Sequence, residues 1–247
     1  MSTLFSLISA LGFFIVCGQA QADRRNFAWS YEYKTVAKGE AELEHYFTPE
    51  VKKVEDDFKI LWGHQVELEY GITDRFDVGF YQMFKQEPDS LLKYNGYKVR
   101  GRYKFGEQGL YLLDPLIYLE FIQKPGEIEF EEKLILAKNI KKSFLSFNLT
   151  LEQELEKEAE EIEVEFIINP SFGIGYQFSP RLSVGLEFWN HIEIVEGEME
   201  HSAFFAGPTI SLAGEKVWWT LSVLPQITKI HDEHSHLMMR SLVGIFF

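Results

Sequence analysis

From Glu40 to Phe247 the chain repeats one pattern, in which apolar and polar residues alternate with a period of two. That spacing sends successive side chains to opposite faces of a β-strand, whereas a helix would scatter them around its circumference. In EAELEHYF, Glu40, Glu42 and Glu44 oppose Ala41, Leu43, His45 and Phe47. ILWGHQVELEY sets Ile60, Trp62, Val66, Leu68 and Tyr70 against Gly63, Gln65, Glu67 and Glu69. RFDVGFYQMFK and YKVRGRYKF continue it, the second with Lys98, Arg100, Arg102 and Lys104 on one face and Tyr97, Val99, Gly101, Tyr103 and Phe105 on the other. The longest runs come later, in SFLSFNLTLEQELE and EIEVEFIINPSFGIGYQF, and the chain closes on RSLVGIFF. About twelve segments result, an even number within the range of outer-membrane barrels.

Soluble sandwiches also alternate, so the connectors and the strand ends decide between the two. GITDR, FSPR and AGEK are tight links; TPEVKKVEDD, KQEPDSLLKYN, EKEAEE, EIVEGEME and HDEHSH are mostly longer and acidic. Alternation of short and long links is what an up-and-down barrel with two unlike ends requires, tight turns in the periplasm and loops outside. With that threading Tyr70, Phe76, Phe105, Phe178 and Phe247 fall on the apolar face at one height, an aromatic girdle expected of lipid contact. The sequence therefore predicts an all-β fold: a transmembrane antiparallel up-and-down β-barrel of about twelve strands over residues 40–247.

The first residues place this barrel in an export pathway. MSTLFSLISALGFFIVCGQAQA carries an apolar core from Leu4 to Val16 and then Ala20-Gln21-Ala22, the small-x-small pattern of a cleavable signal peptide spanning residues 1–22. The run is shorter than the roughly 20 apolar residues of a membrane-spanning helix. Cys17, the sole cysteine, leaves with it, so the mature chain has no disulfide framework and no thiolate metal site. Residues 23–39 form a lead segment, periplasmic or lumenal, in which Trp29, Tyr31 and Tyr33 favour an ordered position. The net charge of -14 argues against nucleic acid as a partner.

These stretches also carry a resemblance. KGEAELEHYFT, LEYGITDRFDVGFYQMF, YKVRGRYKF, DPLIYLEF and NPSFGIGYQFSPRLSVGLEFWNH resemble a family of largely uncharacterised Gram-negative outer-membrane barrel proteins, described as porin-like or as transporters. The resemblance implies a barrel of this size in the outer membrane. It supplies no catalytic residues. The partners expected of such a protein are outer-membrane lipids, lipopolysaccharide, the barrel assembly machinery and a small polar solute.

If the apolar faces meet lipid, the polar faces meet the lumen. Lys98, Arg100, Arg102 and Lys104 then point inward, because a cation on the lipid face at the midplane costs about 2–4 kcal/mol. Asp77 and Glu120 flank them on neighbouring strands, and Glu67, Glu69, Glu152, Glu154, Glu163, Glu165 and Glu187 enter from other walls. Arg240 is expected near Glu40, Glu42 and Glu44, where the last strand meets the first. Two roles compete for the basic ladder: an internal salt-bridge network that fixes strand register, or a charged constriction that selects solutes. The excess of Glu over Lys and Arg predicts a cation-favouring pathway. The alternative classes are a closed structural or surface-binding barrel and a lipid-acting hydrolase or acyltransferase.

For the enzyme, Ser235 lies between His234 and His236, and His201 precedes Ser202, but adjacent strand residues point to opposite faces. No catalytic residue and no cofactor is assigned. His231, His234 and His236 in HDEHSH are weak candidate metal ligands whose spacing fits no established closed zinc site. The acidic runs, such as Glu196 to Glu200, are read as solvated loop charge, or as holders of the divalent cations that bridge lipopolysaccharide phosphates.

Overall fold

The computed structural model describes residues 24–52, 59–158, 161–195, 198–228 and 234–247. The expected signal peptide, most of the first long loop and His231 lie outside the described residues. Twelve strands follow one another along the described chain: β1 (Ala41–Val51), β2 (Ile60–Thr73), β3 (Phe76–Gln86), β4 (Lys93–Lys104), β5 (Asp114–Lys124), β6 (Glu127–Ile140), β7 (Ser143–Glu158), β8 (Glu161–Ser179), β9 (Leu182–Val195), β10 (Glu198–Ala213), β11 (Val217–Pro225) and β12 (Leu237–Phe246). Each pairs antiparallel with its neighbours in the chain, and β12 closes on β1 through Leu43↔Ile245 and Tyr46↔Leu242. Closure leaves no sheet edge with unpaired backbone groups, the condition for a sheet to span lipid.

The period of two appears as two surfaces. Outward, Leu68, Phe80, Val99, Leu119, Phe130, Leu151, Phe166 and Leu186 stay exposed; inward, their chain neighbours Glu67, Glu69, Tyr81, Arg100, Tyr118, Glu120 and Glu187 are buried. At the rim that holds the chain's C-terminus, called here the terminal rim, Tyr70, Tyr103, Phe105, Tyr176, Phe178 and Phe247 form an outward aromatic belt. Tyr103 meets Phe105 edge to face, as Tyr176 meets Phe178. A carboxylate interrupts the apolar exterior: Glu132 is exposed between Phe130 and Leu134, beside Leu119 and Leu151.

The connectors differ from the expected alternation. The described residues of EKEAEE and EIVEGEME lie in strands rather than loops: β7 runs to Glu158 and β8 starts at Glu161, while β9 runs to Val195 and β10 starts at Glu198. Alternating Glu and aliphatic residues extend these strands, and carboxylates opposed across a ladder, such as Glu156↔Glu163, are exposed. The terminal rim in turn carries one long link, residues 105–113, with Leu110 and Leu112 exposed.

Candidate functional site: the lumen and its strap

Residues 24–39 lie inside the barrel as a strap that rises from the terminal rim, turns at mid-lumen and descends again. Its start is held by Arg24, which donates to the carbonyl of Pro180 at 2.8 Å and to Ser183 Oγ at 2.5 Å. Its tip meets Glu187, a fully buried carboxylate of β9. The amides of Ala28, Trp29 and Ser30 donate to the two Glu187 oxygens at 2.9, 3.0 and 2.8 Å, and the Ser222 hydroxyl donates to the same group. Three successive N–H groups on one carboxylate satisfy backbone donors that have no ladder partner at this depth. Beyond the tip, Tyr31 N–H donates to Asn148 Oδ1 at 2.6 Å and its carbonyl accepts from Asn148 Nδ2 and Ser146. The strap leaves past Tyr33, whose hydroxyl donates to the Gly106 carbonyl, and Val36, whose amide donates to Asp77.

Small residues in the wall make room for it. A Cβ on Gly173 would stand 2.7 Å from the ring of Phe27, and one on Gly71 only 2.0 Å from the Ala37 carbonyl oxygen, so both positions need glycine for close approach. Around the tip, Ala28 and Trp29 join Tyr46, Tyr81, Phe205, Trp218, Leu224 and Leu242 in a core that fills part of the lumen. The Arg25 guanidinium lies 4.0 Å from the centre of the Tyr31 ring and donates to the Tyr46 hydroxyl at 2.9 Å.

The basic ladder divides by height. Arg100, with no side-chain exposure, donates to Glu67 and Asp77 at 2.7 Å each and also to Glu69. Arg102 reaches Asp77 at 2.6 Å and Glu69 at 2.8 Å. These two are therefore held in a closed network along β2, β3 and β4. Lys98 pairs with Glu120 at 3.0 Å and Lys104 faces the Tyr33 ring, each lining a cavity. Arg240 is not beside Glu40, Glu42 and Glu44. Because β12 runs antiparallel to β1 with Glu42 opposite Phe246, residue 240 falls level with Thr48, to which Arg240 donates at 3.1 Å while covering the Trp29 ring.

The strap separates two polar vestibules. The one at the terminal rim, of about 530 Å³, is lined by Arg24, Lys34, Lys104, Lys141 and Lys142 against Glu32 and Glu107. The one at the far rim, of about 430 Å³, has Trp29 and Tyr31 of the strap among its walls and carries six carboxylates, Glu50, Glu120, Glu129, Glu131, Glu152 and Glu154, against Lys98, Lys124, Lys133 and Arg240. Glu163 and Glu165 stand near the far end of β8. Sequence reasoning placed Glu187 on a wall without seeing its role. The signal for the strap was the aromatic spacing of Trp29, Tyr31 and Tyr33, which marked order but not position.

The histidines regroup. His234 stacks edge to face against His191 and His201, with ring centres 5.1 and 5.8 Å away. His236 pairs through its backbone with Val51 and Gln226, and Ser235 donates to Glu50 at 3.1 Å.

Comparison with known proteins agrees with this architecture. Residues 127–237 match a family described as a family of unknown function (DUF6662). No curated protein sequence matches the chain. Among solved structures, the COG4313 outer membrane channel from Pseudomonas putida F1 superposes with a TM-score of 0.60 at 10% identity, over 87% of this chain and 98% of that one. The NanC porin gives 0.58 at 4% identity, over 84% and 99%. The KdgM porin, solved with disordered oligogalacturonate, gives 0.51 at 10% identity, over 84% and 98%. At such identities the likeness is one of fold, and the fold is that of outer-membrane barrels.

Proposed function

We propose that this chain is an outer-membrane channel for small polar solutes whose passage is controlled by the strap of residues 24–39. The observation that carries the reading is the pair of polar vestibules, entering from opposite rims and parted by the strap tip at Trp29 to Tyr31. The signal peptide delivers the chain to the periplasm and the assembly machinery inserts it, with the terminal rim inside and the far rim facing outward among the lipopolysaccharide. A solute arriving from outside meets six carboxylates and four cations, so the outer vestibule favours cations and the cationic end of zwitterions. The inner vestibule has the opposite balance, five cations to two carboxylates, so the pathway rectifies.

A second reading rests on the same strap: a closed barrel in which the outer vestibule binds a ligand without passing it. Liposome swelling with solutes of graded size and charge separates the two, using the full mature chain and a variant lacking residues 24–38. Conduction that rises on removing the strap supports the channel. A variant as tight as the parent supports the closed barrel. A reversal potential favouring chloride in a salt gradient overturns the cation preference.

A further inference from the structure

We propose that the far rim holds one nitrogen-preferring transition-metal ion, of the class of Zn²⁺, Ni²⁺ or Cu²⁺, through His191, His201 and His234. The topology brings the first two together. On the β9–β10 ladder His191 lies opposite Ala203 and His201 opposite Glu193. The two imidazoles are therefore diagonal neighbours on the same lumenal face, a spacing long side chains bridge. His234 enters from the segment leading into β12 and lies against both.

The two ring separations to His234 are those of coordination. With a metal–nitrogen bond of about 2.0–2.1 Å and roughly 1.1 Å from nitrogen to ring centre, two imidazoles on a tetrahedral ion have centres roughly 5.3 Å apart. The observed separations are 5.1 Å for His191 to His234 and 5.8 Å for His201 to His234. The ring nitrogens do not converge as placed; with His191 held by Asn169, an ion would draw the rings of His201 and His234 round about their Cβ–Cγ bonds, a broad and soft torsion. Glu193 offers a carboxylate beside His191: its Oε2 lies 3.7 Å from His191 Nε2, against roughly 3.4 Å for two atoms on one tetrahedral ion.

The tautomer is also set. Asn169 Nδ2 donates to Glu152 at 2.7 Å, which turns its oxygen towards His191, where Oδ1 lies 2.9 Å from Nδ1. His191 Nδ1 therefore carries the proton and Nε2 presents its lone pair, the arrangement that outer hydrogen bonds impose on metal-binding imidazoles. Asn169 is a positioning residue for this ligand. Since His191 also lines the outer vestibule, an ion here ties the segment entering β12 to the β9–β10 wall at the mouth. The site is independent of whether the barrel conducts.

The test is calorimetric titration of ZnCl₂ and NiCl₂ into the untagged, folded full-length mature barrel in detergent, with Cu²⁺ electron paramagnetic resonance to count nitrogen ligands. Folding of every variant is checked by heat-modifiable gel mobility. One site per chain is expected, with Ca²⁺ failing to compete. His191→Gln, His201→Gln and His234→Gln each lower affinity at least tenfold and remove one nitrogen from the spectrum. Asn169→Leu lowers affinity about 10- to 100-fold without removing a nitrogen from the spectrum, since it touches the ligand and not the ion. A second histidine pair, His45 and His64, has ring nitrogens 3.3 Å apart on the outer face, and His45→Gln should leave binding intact. The proposal is overturned if no ion binds, if folded His191→Gln and His201→Gln bind like the parent, or if binding disappears only with His45→Gln or His231→Gln.

Discussion

Removing the carboxylate of Glu187 is the sharpest perturbation of the strap. In the seated state it accepts from three consecutive strap amides. Hydrogen bonds to a charged group contribute about 1.5–3 kcal/mol each, so three set a ceiling of about 5–9 kcal/mol. Two effects reduce that figure. Replacing the carboxylate ends the desolvation of a buried charge, and water entering the gap left by alanine solvates the freed amides. What survives is the equivalent of one or two charge-assisted bonds, about 2–4 kcal/mol for Glu187→Ala and about 1.5 kcal/mol for Glu187→Gln, which keeps one acceptor oxygen. At about 1.4 kcal/mol per tenfold, the ratio of released to seated strap rises about 30- to 700-fold for Ala and about tenfold for Gln. Single-channel recording in planar bilayers reads this as open probability, and hydrogen exchange at the amides of residues 28–30 reads it directly. The reasoning is refuted if both variants stay within twofold of the parent in both measurements while a chain lacking residues 24–38 conducts freely.

Gly173→Val, placing a side chain where Phe27 now packs, should unseat the strap in the same recordings; unchanged conductance would mean Phe27 finds another seat. Arg100→Met strips Glu67 of its guanidinium and leaves Glu69 and Asp77 to Arg102 alone, and should cost about 3–5 kcal/mol in reversible denaturant unfolding; a loss below about 1 kcal/mol would show the network to be dispensable. Arg100→Lys should recover little of that loss, since an ammonium cannot serve three carboxylates in a fixed fork. Glu132→Leu should stabilise the barrel in lipid by up to about 2 kcal/mol, less than the value for a lipid-facing cation; destabilisation would mean that the carboxylate has a partner in the membrane.

How far the sequence carried depends on the range of the interactions. Alternation is local: each residue's face follows from its neighbours, so Lys98, Arg100, Arg102 and Lys104 could be assigned inward and Tyr103 and Phe105 outward from YKVRGRYKF alone. Strand number, closure and the aromatic belt follow from the same rule repeated. Height does not. Which carboxylate meets which cation depends on the registers of strands paired around a ring, and the expected partners of Arg240, Glu40, Glu42 and Glu44, lie four to eight positions from Thr48, which it meets. The acidic ends of β7 to β10 looked like loops because their composition is polar, yet their period keeps their described residues in strands.

The sequence by itself therefore determined the barrel, its two faces and the acidic character of its lumen, because a two-residue period is written in adjacent residues. Only the tertiary structure decided that Glu187 holds a strap from more than 150 positions away, that Arg100 and Arg102 are tied into a carboxylate network while Lys98 and Lys104 line the two vestibules, and that His191, His201 and His234 share one corner. Those arrangements exist only once the ring has closed and set distant strands at a common height.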